Sequence, residues 1–191
     1  MSFDSNSAII DNDFINGIVD MNQTEDDMVL IATDVFRELN VNPVVHPLVF
    51  KNEVQTDHPR TIRLFEENVV KELTFEDIHD NDDAKKNYYS FIVLELYKKL
   101  NGENLDIGKK TVFDYWQKRH SLGEIHSLST CLLCGCGLFL SDDKDSQRLK
   151  KIIEDTFLTK IDVHSRQVVV DLLREKGTSI SRKKLQSFSH V

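Results

Sequence analysis

Residues 122–149, LGEIHSLSTCLLCGCGLFLSDDKDSQRL, contain the local features that decide the fold. A helix of small and apolar residues is predicted over 122–134, and Gly135 and Gly137 end it because glycine is common just beyond a helix C-terminus. The apolar residues 138–140 then form a short buried strand. This stretch therefore predicts a helix that is followed at once by a strand.

The same alternation continues on both sides of this stretch. Upstream, the apolar run 8–10 predicts a first strand, which ends at Asp11. Downstream, we predict a helix over 146–155, a brief strand around 158–163 and a helix at about 165–176. Strands that alternate with helices form parallel sheets that are covered on both faces. We therefore expect an α/β fold, a mostly parallel sheet flanked by helices in a three-layer α/β/α arrangement.

The other predicted elements lie mainly in the first half of the chain. They are a short helix at 15–20, a helix that begins after Thr24 and ends at Leu39, an extended segment at 43–47 and a short helix at 48–54. Residues 55–120 are expected to be a divergent helical insertion, with helices over 84–100 and 111–120. The residues after 176 are predicted to be a polar segment. A length of 191 residues suits a single domain that covers residues 1–191.

The three cysteines, Cys131, Cys134 and Cys136, form the sequence CLLCGC. A structural zinc site needs four ligands, and the chain has no second CxxC pair, so we predict that these cysteines are small core residues. No apolar run approaches the roughly 20 residues that span a bilayer, and residues 1–10 lack the basic region of a signal peptide. We therefore expect a cytoplasmic protein that does not interact with membranes.

The net charge of −8 is distributed unevenly along the chain. Residues 144–191 carry eleven Lys and Arg against six Asp and Glu, a balance of +5, so residues 1–143 carry 13 against 26, a balance of −13. An acidic body with a basic C-terminal part suits an enzyme that holds metal with carboxylates and phosphate with cations. A solvated basic helix around residues 182–184 explains the C-terminal charge equally well.

Carboxylates follow both of the strands that are predicted most clearly. Asp11 ends the first strand, and Asp142 and Asp143 follow the strand at 138–140. In open parallel sheets the functional crevice lies outside the carboxyl ends of the strands. Carboxylates that lie close together raise one another's pKa, and a hard cation with a preference for oxygen ligands relieves this repulsion. The alternative for each Asp is a helix N-cap or a turn.

Residues 122–149 resemble the C-terminal half of PIN-domain nucleases. In that family a Gly-Glu pair opens a helix of small residues, a hydrophobic strand follows, and a Ser/Thr-x-Asp turn leads into the next helix. The run Ile9-Ile10-Asp11 resembles the family's opening strand and first acid. Glu53, on a helix after the extended segment, is similar in position to the family's second acid.

The resemblance implies a set of catalytic carboxylates at the carboxyl edge of the sheet. The catalytic residues it implies are Asp11, Glu53, Glu124 and Asp143. The metal ligands it implies, for Mg²⁺ or Mn²⁺, are Asp11, Glu124, Asp142 and Asp143. Asp13 or Asp142 could replace a neighbouring acid, and Ser141 would orient a carboxylate or a water molecule.

The function implied by the resemblance is that of a metal-dependent endoribonuclease that hydrolyses phosphodiester bonds. The partners it implies are an RNA substrate and an antitoxin-like protein, as in toxin–antitoxin pairs, and a homodimer is left open. His120 and His126 are candidate general bases, but His126 lies two residues after Glu124 on the same helix and faces largely another way, which favours a structural or exposed role.

Two alternative functions remain. The first is a catalytically degenerate PIN-like module that binds RNA or protein, which the divergent region 55–120 favours. The second is an unrelated phosphate-handling enzyme in which Asp11 and Asp13 follow a phosphoaspartyl mechanism. That mechanism leaves the Gly-Glu helix start unexplained.

Overall fold

The computed structural model describes residues 6–19, 23–55, 60–117 and 121–189, and its centre is a five-stranded parallel sheet. The strands are β1 (Ser7–Ile10), β2 (Asn42–Val45), β3 (Lys71–Glu72), β4 (Leu138–Leu140) and β5 (Asp162–His164). Their order across the sheet is β3-β2-β1-β4-β5. All four neighbouring pairs are parallel. The predicted fold class is confirmed.

Helices connect and cover the strands. They are α1 (Asn12–Val19), α2 (Glu25–Leu39), α3 (Pro47–Val49), α4 (Thr61–Glu66), α5 (Phe75–His79), α6 (Asp83–Asn101), α7 (Leu122–Cys134), α8 (Lys144–Phe157), α9 (Arg166–Glu175) and α10 (Arg182–Ser189). A π-helical segment, Phe50–Val54, continues α3. None of the helices in the described part of the chain is both long and apolar enough to cross a membrane.

Alternate residues of each central strand enter opposite cores, which gives the three layers. Ile10 and Leu140 belong to a core that includes residues of α1, α2, α9 and α10. Ile9 and Phe139 belong to a second core, which includes residues of α6, α7 and α8. Because successive side chains of a strand point to opposite faces, strands with only three apolar residues, such as β1 and β4, supply both cores.

The cysteines lie where the sequence predicted. Cys131 and Cys136 are buried, Cys134 is partly buried, and all three are free thiols. Cys131 and Cys136 belong to the second core, and Cys134 packs against it. Their prediction as core residues is therefore confirmed.

Several predicted elements were wrong. Residues 111–117 form turns rather than a helix, and 118–120 lie outside the described residues. The segment at 111–117 packs Val112 into the second core and Trp116 against both cores, so tertiary contacts override its helical spacing. Region 55–120 is not wholly helical, because β3 joins the sheet there. That strand has two exposed polar residues and no apolar pattern to reveal it.

Two differences concern the C-terminal part. The strand expected around 158–163 begins only at Asp162, because Leu158 adopts a left-handed backbone conformation and ends α8. The segment predicted to be merely polar contains α10, which buries Leu185 and Phe188. These two residues anchor a helix whose other positions are largely polar, so its apolar periodicity is short.

The pairing of β1 with β4 positions the acids. Ile10 is in register with Leu140, and the Asp11 N–H donates a hydrogen bond to the Leu140 carbonyl at 2.9 Å. Asp11 and Ser141 therefore leave adjacent parallel strands side by side at the same edge of the sheet. This edge is where open α/β sheets bind ligands.

Candidate active site

Asp11 is the most deeply buried acid of the site, with 2% of its surface exposed. Its Oδ1 accepts a hydrogen bond from the Asn12 N–H at 2.8 Å, and its Oδ2 accepts one from Ser141 Oγ at 3.2 Å. Burial raises the pKa of Asp11 well above its usual value, and repulsion from Glu124, Glu53 and Asp13 adds to the shift. The structure thus brings Asp11 within electrostatic reach of three other acids.

Glu124 lies in the first turn of α7. Burial raises its pKa to about 7, and nearby Asp143, Asp13 and Asp145 contribute to the increase. Glu124 therefore interacts electrostatically both with Asp11, which follows β1, and with the acids that follow β4. Two carboxyl groups with raised pKa values in one cluster are typical of functional sites.

Glu53 reaches this cluster from the π-helical segment, because residue 123 is glycine. A Cβ atom on Gly123 would lie 3.1 Å from Glu53 Oε1, which is closer than most Cβ contacts. The two residues of the Gly-Glu pair at the start of α7 therefore have different functions. Gly123 gives space to one carboxylate, and Glu124 supplies another. Short π-helical segments occur frequently at functional sites.

The two aspartates after β4 have different partners. Asp143 is the N-cap of α8, and its Oδ1 accepts a hydrogen bond from the Asp145 N–H at 2.6 Å. Asp142 is bound by Arg166, whose backbone N–H lies 2.9 Å from Oδ1 and whose Nε donates to Oδ2. The structure therefore places Asp143 near Glu124 and engages Asp142 in an ion pair with a buried guanidinium.

Ser141 connects the acids of the two strands. Its Oγ donates to Asp11, accepts a hydrogen bond from the Asp143 N–H at 3.1 Å and lies 2.7 Å from Ser146 Oγ. This position fits the role of orienting a carboxylate that the resemblance to PIN-domain nucleases implies. Ser141 is itself buried, so the network is shielded from solvent.

A buried hydrogen-bond network joins elements that carry the acids. The sequence did not predict this network. Tyr89 Oη lies 2.8 Å from His46 Nε2 and 2.8 Å from His126 Nδ1, and the Leu48 N–H donates to His46 Nδ1 at 3.1 Å. Burial lowers the pKa of His126 to about 3 and that of His46 well below its usual value. With both rings neutral, we assign His46 Nε2–H as donor to Tyr89 and Tyr89 as donor to His126.

The network ties together the two elements that carry Glu53 and Glu124. His46 precedes α3 and the π-helical segment, while His126 lies on α7. His126 is therefore a buried structural residue, and of the two roles predicted for it, structural or exposed, the first is correct. His120 lies outside the described residues. No sequence pattern relates positions 46, 89 and 126, because they belong to separate elements.

The acid cluster has the chemistry of a cation site but no finished coordination shell. Within 6–19, 23–55, 60–117 and 121–189, no three His, Cys, Asp or Glu side chains are arranged so that they could hold a metal ion. The donors are all carboxylate oxygens that repel one another, which suits a hard divalent cation. A cation would have to draw these side chains closer together.

Comparison with protein-family models, with curated proteins and with solved structures finds no match for this chain. Its function must therefore be inferred from the residues of the site themselves.

Replacing Glu124 by Gln is expected to stabilise the protein at pH 8 and to leave it little changed at pH 4.5. Because the pKa of Glu124 rises from 4.5 to about 7 on folding, the stability this group contributes is present below pH 4.5 and is lost as the pH rises through 7. Gln does not ionise and keeps that stability. Melting temperatures measured in EDTA should separate by several degrees at pH 8, at roughly 2–4 °C per kcal/mol.

The exposed Glu103 provides the matched control, and Glu103→Gln should show no such pH-dependent gap. If the melting temperatures of Glu124→Gln and the wild-type protein differed by the same amount at pH 4.5 and at pH 8, the pKa of Glu124 would not be raised in the folded protein.

Proposed function

We propose that this protein is a metal-dependent nuclease that hydrolyses phosphodiester bonds in RNA with Mg²⁺ or Mn²⁺ as cofactor. The observation that carries the proposal is the carboxyl of Asp11 at the carboxyl edge of a parallel sheet, whose pKa is raised by burial and further by repulsion from Glu124 and Glu53. Holding these acids together costs free energy in the absence of a cation. A bound divalent cation would offset that cost.

The residues have distinct roles in this proposal. Asp11 and Glu124 are the cation ligands, and Asp143 and Glu53 complete the acidic site. Ser141 holds Asp11 by its hydrogen bond and so fixes the direction of that carboxylate. A cation bound there would lower the pKa of a water molecule and offset charge on the phosphate.

Asp142 has a supporting role rather than that of a ligand. Its two oxygens accept hydrogen bonds from Arg166, which is itself 3% exposed. Removing either partner of such a buried pair leaves an uncompensated charge. The pair fixes the turn after β4, and the neighbouring residue Asp143 is held by that turn.

The resemblance of residues 122–149 to PIN-domain nucleases supports RNA as the substrate class and internal cleavage as the reaction. It also supports an antitoxin-like protein as a partner that would cover the acidic site. The basic balance of residues 144–191 supplies cations for a phosphate backbone.

The alternative is a catalytically degenerate PIN-like module that binds RNA or a protein. One observation favours it, namely that the described residues contain no preformed group of three metal ligands. In that case the acids would be present but would not support hydrolysis, and the protein would only bind its RNA or protein partner.

Cleavage of labelled RNA by the purified full chain distinguishes the two functions. An RNA with single-stranded and hairpin segments should be cut internally with Mg²⁺ or Mn²⁺, remain intact in EDTA, and be cut again when excess cation is restored. Cleavage that persisted in EDTA would contradict a metal-dependent mechanism. Metal-supported binding without cleavage, across several RNAs, would establish the binding module instead.

A further inference from the structure

A cavity lies at the same edge of the sheet as the acids. It has a volume of about 480 Å³, and its lining includes Pro47, Asn52, Gln55, Glu72, Phe113 and Trp116. Pro47 follows closely after β2, and Glu72 is the last residue of β3. Since the sheet order is β3-β2-β1-β4-β5, the cavity lies outside β2 and β3, next to the acids that follow β1 and β4.

Two structural links connect this cavity with the acidic site. Asn52 and Gln55 line the cavity from the same π-helical turn that carries Glu53 toward Gly123. The Trp116 ring lies 6.3 Å from the His126 ring at an interplanar angle of 20°, and His126 is two residues after Glu124. Trp116 also packs against both cores, so it lies across the edge of the sheet.

The lining combines aromatic rings with polar groups. Phe75, Phe113 and Trp116 are partly exposed, so ring surface remains accessible in the cavity. The Asn52 amide donates to the Leu48 carbonyl at 2.7 Å, which fixes its orientation. Aromatic side chains stack on nucleobases regardless of sequence, and amide side chains hydrogen-bond to base edges.

The charges of the lining favour a base over a phosphate. Glu72 and Asp114 place two carboxylates in the cavity against the single ammonium of Lys51. Carboxylates repel phosphate but accept hydrogen bonds from the exocyclic amines of bases. A flat ring with polar edges therefore matches this lining better than an anionic group does.

We propose that this cavity, here termed the aromatic pocket, holds one nucleobase of the RNA strand whose phosphate lies at the acids. This inference rests on the proposed nuclease function and identifies a nucleobase as the part of the substrate that the aromatic pocket binds. Stacking in the pocket would hold the strand so that a neighbouring phosphate lies near Asp11 and Glu124.

Trp116 makes the pocket directly measurable, because it is the only tryptophan of the chain. In EDTA, where no cleavage is expected, a single-stranded RNA oligonucleotide should quench Trp116 fluorescence and protect the ring from acrylamide. An abasic oligonucleotide of the same length and backbone should bind about tenfold more weakly, since stacking contributes about 1–3 kcal/mol per base. Equal quenching and equal affinity for both oligonucleotides would overturn the proposal.

A substitution provides the second test. Trp116→Leu keeps an apolar side chain and should weaken binding of labelled normal RNA about tenfold while leaving the affinity for abasic RNA unchanged. The unchanged abasic affinity shows that the variant is folded. Tyr88→Leu, at a 48% exposed aromatic position on α6, is the matched control and should bind both as wild type does. Equal loss of affinity for both RNAs, in a Trp116→Leu protein that melts at the wild-type temperature, would contradict base stacking.

The two proposals fail in different ways. If the protein cuts RNA with Mn²⁺ but base-containing and abasic strands protect Trp116 equally, the nuclease function stands and the aromatic pocket is not a base site. If base-dependent protection occurs in EDTA but no cation supports cleavage, the pocket stands and the catalytic function fails.

Discussion

Replacing Asp11 by Asn should slow RNA cleavage strongly without unfolding the protein. Asn has nearly the same shape, and its Oδ1 can accept the hydrogen bond from the Asn12 N–H while its Nδ2 takes the place of Oδ2 and donates to Ser141 Oγ. It lacks the charge needed to hold a cation. We expect the rate with Mn²⁺ to fall by roughly a hundredfold or more, the scale of losing one essential electrostatic group. Cleavage rates and Mn²⁺ affinity measured by calorimetry check this result.

The stability of the same variant tests the electrostatic cause. Because the pKa of Asp11 is raised on folding, ionised Asp11 destabilises the native state at neutral pH, and Asn removes that cost. The melting temperature in EDTA should therefore rise at pH 8. Asp155→Asn, on the exposed face of α8, is the control and should change neither rate nor stability. An Asp11→Asn protein with wild-type activity would remove Asp11 from the mechanism.

Gly17→Ala should produce the largest loss of stability among these substitutions, although alanine normally favours a helix by about 1 kcal/mol over glycine. A Cβ atom at this position of α1 would lie 1.9 Å from Arg166 Cζ. Because Arg166 is 3% exposed and paired with Asp142, its guanidinium has little space to shift without leaving that carboxylate. Breaking a buried ion pair costs about 3–5 kcal/mol. Chemical denaturation should show a net loss of about 2–4 kcal/mol after the helix preference of alanine is subtracted. Thermal unfolding should show a melting temperature lower by roughly 4–16 °C.

Gly137→Ala provides the matched control, because a Cβ atom there meets nothing within 4 Å. That variant should be about as stable as the wild-type protein. If Gly17→Ala unfolded at the same denaturant concentration as the wild-type protein, the Arg166 guanidinium would have space to move. The Arg166–Asp142 pair would then not require glycine at position 17. Cleavage by Gly17→Ala below its melting temperature would show whether the ion pair also affects the site.

The predictions that succeeded depended on residues close together in the chain. The apolar runs at 8–10 and 138–140, each ended by polar residues, predicted the two central strands and the positions of Asp11 and Asp143 at their ends. The helix predicted over 84–100 is present as Asp83–Asn101 with Asp82 as its N-cap. Local periodicity and capping are sufficient for such elements.

The predictions that failed concerned segments whose structure depends on distant contacts. Lys71–Glu72 becomes a strand because β2 offers an edge to pair with, and no property of these two residues indicates it. Residues 111–117 avoid a helix because Val112 and Trp116 pack into cores formed by other parts of the chain. Such packing competes with propensities of less than about 1 kcal/mol per residue.

The sequence by itself determined the α/β class, the chemical type of the acids and the placement of Asp11 and Asp143 at strand ends. Only the tertiary structure decided which acids face one another. In the folded protein Asp142 pairs with Arg166, and Glu53 lies against Gly123. His46, Tyr89 and His126 form one hydrogen-bond network. The reason is that these contacts join separate elements, so they depend on strand order and helix packing rather than on local spacing.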